Sequence, residues 1–122
     1  MKKSMSAQEI IEKRIENDLL IEALSVRDYK KNNRIVDKNF KLFKLLKIDL
    51  ELAKLVYKEL LSYDCVITRL TAAGECLSLG IYIEEALRIL TEMSNRGDIG
   101  IRSFEAELTL KVWRGEVPGK TL

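Results

Sequence analysis

The chain has 122 residues, 47% of them hydrophobic and 33% charged, with a single proline and a net charge of +2. That length and balance suit one domain able to bury its own core, and they favour helices over strands or disorder. They exclude a polycation as a whole. The absence of histidine excludes Ser–His and Cys–His catalysis and histidine-containing zinc sites.

The charge is unevenly placed. Residues 27 to 47 hold eight basic residues against Asp28 and Asp37, an excess of +6 that leaves −4 for the rest of a chain at +2. The start, MKKSMSAQEIIEKRIENDLL, has lysines but no apolar run behind them, so it does not read as a signal peptide. No stretch is long enough and apolar enough to cross a bilayer.

Ser6-Ala7-Gln8-Glu9 has the form of a capping box, which starts a first helix at Ala7. That helix carries Ile11, Ile15, Leu19 and Val26 at helical spacing and runs to about Ser25. Asp28 is the expected cap of a second helix, Tyr29 to Lys47, with Ile35, Val36, Leu42, Phe43 and Leu46 on one side. Lys30, Arg34, Lys38 and Lys41 fall within about 80° of one another on the opposite side, and Lys31 lies beside them. The helix is amphipathic with a cationic outer ridge.

Asp49 is placed to cap a third helix, about Leu50 to Ser62, with Ala53, Val56, Tyr57 and Leu60 facing in. Tyr63-Asp64 turns into a fourth, Val66 to Gly80, capped by Asp64 at its start and ended by the glycine. Its small residues Ala72, Ala73 and Gly74 allow close helix approach, which makes it the expected central helix. A fifth helix runs from about Ile83 to Asn95 with Ile83, Leu87, Leu90 and Met93 inward. Glu84, Arg88, Glu92 and Arg96 form a ladder of alternating charge on its outer side. The sixth runs from about Gly100 to Arg114, and residues 115–122 form a loose tail.

Six helices joined by short turns predict an all-α fold: three stacked antiparallel hairpins in one domain, 1–122, arranged as a short HEAT/ARM-like α-solenoid. Arg69, Ala73 and Leu77 recur as Arg102, Ala106 and Leu110, an offset of 33 residues, within the range of stacked helical repeats. Arg69, then Ala72-Ala73, then Leu79-Gly80 resembles the second helix of a HEAT repeat, with Thr68 where Val is usual and Glu75 where Ala is usual. The chain also resembles a small uncharacterised bacterial family of HEAT-like helical domains. That resemblance rests on Asp28-Tyr29-Lys30-Lys31-Asn32-Asn33-Arg34, on Arg69-Leu70-Thr71-Ala72-Ala73, and on Phe104 through Gly115, FEAELTLKVWRG. It implies a fold and brings no activity or catalytic residue with it.

Cys65 and Cys76 lie on one expected helix, roughly 16 Å apart at 1.5 Å per residue, beyond disulfide reach. Two thiols without histidine make a poor metal site, so no metal or cofactor is expected, and a reduced cytoplasmic compartment is the simple inference. The glycines form no phosphate-cradling loop. Gly119-Lys120-Thr121 ends like a P-loop but lacks the preceding glycine spacing and a following helix. Glu105 sits amid Ile101, Phe104, Leu108 and Val112 on the apolar arc of the sixth helix. It is either a general acid or ligand contact, or a salt-bridge partner of Arg69 or Arg102 that stitches two hairpins. Asn33 is expected as a buried amide tying two helices, with a substrate contact as the other reading. Trp113 either closes the core or anchors a partner.

The expected function is non-enzymatic: a helical-repeat module that binds another protein, one concrete version being a bacterial immunity or antidote-type protein. Its expected binding residues are Lys30, Arg34, Lys38 and Lys41. The alternative is contact with a nucleic-acid backbone through the same ridge, because lysines without interleaved aromatics suit phosphates better than bases.

Overall fold

The computed structural model describes residues 5–116, excepting the Val26 side chain. The sequence-predicted tail from residue 117 on, with its Gly119-Lys120-Thr121, and the inward role of Val26 lie outside the described residues. Six α-helices follow in order: α1 Ala7–Ala23, α2 Tyr29–Lys47, α3 Leu50–Leu60, α4 Val66–Leu79, α5 Ile83–Ser94 and α6 Ile101–Trp113. Short 3-10 turns, Val26–Asp28 and Gly97–Ile99, precede α2 and α6. The fold is all-α, with no strand among the described residues.

Contacts divide the chain into two compact units between Leu60 and Leu61. In the first, α1, α2 and α3 each touch the other two, and in the second α4, α5 and α6 do the same. Contact between successive helices within each unit is what a hairpin arrangement requires.

Helix ends follow local chemistry. The Ser6 hydroxyl accepts from the Glu9 N–H at 3.1 Å and the Glu9 carboxylate accepts from the Ser6 N–H at 3.1 Å, closing the expected capping box. Asp49 accepts from the Leu52 N–H at 3.1 Å at the start of α3. Gly80 ends α4 at φ 73°, where a Cβ would be strained, and the Ile81 N–H returns to the Cys76 carbonyl at 3.0 Å. Two expected caps differ. Cys65, not Asp64, occupies the position before α4 and makes no side-chain cap bond. The Asp28 carboxylate turns back to Ser25 instead of capping α2.

In the first unit α3 buries the expected Ala53, Val56, Tyr57 and Leu60. α1 is rotated by about 90° from the expected stripe on a 100°-per-residue wheel: Ile10, Ile11, Arg14 and Asp18 are buried while Leu19 and Leu20 are exposed. The reason is a polar cluster. Arg14 and Asp18 are each only 1% exposed, with Arg14 Nε 3.4 Å from Asp18 Oδ2. Asn39 of α2 donates to Asp18 Oδ1 at 3.1 Å and accepts from Asn17 at 2.9 Å. Burying charges is costly unless they are paired and hydrogen-bonded. The cluster pairs the two charges and gives Asp18 a hydrogen bond from Asn39, while Arg14 Nε makes none.

The second unit is built on small residues. Ala72 and Ala73 of α4, Ala86 of α5 and Ala106 of α6 are fully buried. On α5 the inward set is Ala86, Ile89, Leu90 and Met93, with the expected Ile83 and Leu87 half-buried. A Cβ at Gly74 would lie 3.7 Å from Thr109 Cγ2, an ordinary van der Waals contact. The 33-residue offset carries over into burial: Ala73 and Leu77 face in, and so do Ala106 and Leu110.

Gly74→Ala should stabilise the chain by about 0.5–1 kcal/mol, since the methyl fits and a helix-interior glycine is lost. Ala73→Leu should cost about 1–3 kcal/mol through overpacking. Urea unfolding followed by circular dichroism checks both signs. The same measurement on Asp18→Leu should show a loss of about 3–5 kcal/mol, because the buried Arg14 charge loses its Asp18 carboxylate. The double change Arg14→Met with Asp18→Leu should recover most of that loss.

Candidate functional site

α2 presents three faces. Ile35, Asn39, Leu42 and Leu46 are buried. Lys30, Arg34, Lys38 and Lys41 are all exposed, as the sequence-predicted ridge requires, and none forms an ion pair with another described residue. The third face is apolar and solvated: Tyr29, Val36 and Phe40 are exposed and Phe43 is half-buried. Val36 and Phe43 therefore leave the core group in which the sequence pattern sets them. Phe40 and Phe43 stack with centroids 6.4 Å apart, and Lys44 Nζ lies 4.8 Å from the Phe40 centroid.

Arg27, Asp28, Tyr29, Lys30, Lys31 and Arg34 line an open cleft of about 440 Å³ at the start of α2. The Ser25 backbone N–H and then its hydroxyl hold the Asp28 carboxyl below its ordinary value. Asp28 stays ionised there, leaving four cations against one anion around the cleft.

Asn33 does not tie two helices, for it is exposed on the outer side of α2. The buried amide is Asn39, six residues on, which faces Asp18. The signal for it was available: Asn39 lies at helical spacing between Ile35 and Leu42 on the inner face. The Arg14–Asp18 pair had an i,i+4 spacing that surface pairs share, so only packing distinguishes it.

Glu105 pairs with Arg102, whose Nη1 lies 2.9 Å and 3.1 Å from its two oxygens. The pair lies within α6 and stitches no two hairpins. Arg69 is not part of it, because its Nε donates to the Leu61 carbonyl at 3.1 Å. The apolar arc around Glu105 faces solvent, which overturns its expected inward orientation and lets the carboxylate stay hydrated. On α5, Arg88 pairs with Glu92 at 3.1 Å and Glu85 at 3.9 Å, while Arg96 turns to Asp98 at 2.7 Å. Of the expected ladder, Arg88 and Glu92 pair with each other, while Arg96 pairs outside it. Trp113 is exposed at the end of α6.

Among the described residues no group of three or more cysteines and acids is placed to hold a metal ion, and no helix is long and apolar enough to cross a membrane. The chain matches no family model, no curated protein and no solved structure.

Cys76 is buried, and loss of solvent followed by the Glu75 and Glu85 charges pushes its thiol up from 9.0 to about 12. Cys65 is half-buried at the start of α4. Iodoacetamide at neutral pH should therefore modify Cys65 in the native chain and Cys76 only after denaturation, as read by mass spectrometry. In the unfolded chain the Cys76 thiol ionises near the ordinary value of 9.0, whereas in the fold it keeps its proton to about 12. Its contribution to stability therefore falls as pH rises across that window.

Proposed function

We propose that the chain is a non-enzymatic, HEAT-like helical-repeat module that binds another protein through the outer faces of α2. The observation that carries this reading is the row of cations Lys30, Arg34, Lys38 and Lys41, without an acidic partner among the described residues, with the exposed Tyr29 lining the same cleft as Lys30 and Arg34. Elsewhere Lys54, Arg88, Arg96, Arg102, Lys111 and Arg114 have acidic partners within the chain. A partner surface that offers carboxylates next to apolar side chains matches both features at once. The matched burial of Ala73 with Ala106 and of Leu77 with Leu110 supports the repeat character. A bacterial immunity or antidote-type protein that covers a toxin is one concrete form of this function. The free thiols Cys65 and Cys76 support a reduced, cytoplasmic setting.

A second reading is favoured by the same exposed rings. Tyr29 and Phe40 beside lysines give a surface on which bases can stack while the ridge meets phosphates, so single-stranded nucleic acid is the alternative ligand.

The triple reversal Arg34→Glu, Lys38→Glu and Lys41→Glu changes local charge by six units, while exposed charges contribute little to stability. The melting temperature should move by no more than about 2–4 °C. Capture of a specific protein from native-cell extract should be lost, and its rebinding after purification should weaken with salt. Loss of single-stranded DNA or RNA retention alone would support the nucleic-acid reading. A folded triple mutant that keeps both activities would sink the proposal that α2 is the binding face.

A further inference from the structure

The inner side of α6 is narrow, with Ala106 and Leu110 as its buried residues. On nearly the opposite side Ile101, Phe104 and Leu108 are 69%, 60% and 43% exposed, and Val112 is half-buried. These side chains recur at helical spacing and form one solvated apolar row about 17 Å long at 1.5 Å per residue. Ile101 and Phe104 thus lie mostly outside the core of the unit.

The charges along the rim decide what can cover this row. Arg102 is paired with Glu105 at 2.9 Å on one flank, and Lys111 with Glu107 at 3.3 Å on the other. Each flank is neutral, so the row selects no charged partner and sets no net charge against a duplicate of itself. The α2 surface behaves in the opposite way, since a second copy meeting it there would bring unpaired cations against unpaired cations.

We infer that α6 is a homodimer interface, formed when a second copy lays its own α6 antiparallel along the first. A twofold axis near the middle of the row brings Ile101 opposite the Val112 position of the other copy. It brings Phe104 opposite the Leu108 region, so β-branched residues close the two ends and the larger side chains fill the middle. The three exposed side chains and the stems of the four rim residues amount to on the order of 500 Å² per copy. A stable complex buries roughly 800 Å² per partner. The dimer is therefore a weak one that forms and dissociates with concentration.

Sedimentation equilibrium of the full chain over a wide concentration range tests this, with circular dichroism as the control for folding. The mass should rise from 14.0 kDa toward twice that value, with little dependence on salt. Phe104→Glu and, separately, Leu108→Lys should each raise the dissociation constant at least tenfold while leaving the helical signal unchanged. Both sites are solvated in the single chain, so neither variant should disturb the fold. A chain that stays monomeric at every concentration would overturn the inference, and the row would then belong to a different protein. A dimer that survives both substitutions, or one that the α2 charge reversals abolish, would overturn it as well. Neither result would touch the α2 proposal, which is read by partner capture.

Discussion

The rotation of α2 about its own axis decides what the first unit offers to solvent, and Asn39 is the residue that fixes it. Its amide meets the Asp18 carboxylate, which is itself buried against Arg14. With Asn39 turned inward, a helix of 3.6 residues per turn has no choice about Arg34, Lys38 and Lys41. They must point away. Ile35, Leu42 and Leu46 bury on the same side, so the apolar stripe and the amide agree on one rotation.

A three-helix unit has one small core, and each helix can give it only one stripe. Where the stripe consists of small side chains, large apolar ones are left outside. α6 is the clear case. Ala106 buries fully, Thr109 comes close to Gly74, and Ile101 and Phe104 remain in water. Turning α6 over to bury Phe104 would widen the distance at which α4 and α6 can meet and leave Gly74 beside a void. Close helix approach therefore takes precedence over hydrophobic area along this contact.

The exposed apolar surfaces of α2 and α6 differ in what they select. On α2 the rings of Tyr29 and Phe40 sit next to cations without an acidic partner among the described residues, which favours an acidic partner and penalises self-contact. On α6 the rim charges are neutralised within the helix, so contact there is governed by shape and apolar burial. A chain with both surfaces can meet itself through one helix and a different molecule through the other without the two contacts competing for the same residues.

The sequence determined by itself the helical class, the element order and most of the helix ends. Those depend on neighbours three or four residues away: the Ser6–Glu9 box, the Asp49 cap, Gly80 at its left-handed turn. The inward face of α3 and the exposure of the four ridge cations were also legible, because the cations of α2 lie away from Ile35, Leu42 and Leu46 whichever side Val36 and Phe43 take. Tertiary structure alone decided the rotation of α1, where Arg14 and Asp18 displace Leu19 from the core, and of α6, where Ala106 and Leu110 displace Ile101 and Phe104. A single-helix pattern ranks faces by apolar area. It cannot register that a buried ion pair finds its third partner on another helix, nor that two backbones come close enough to make an alanine the better fit.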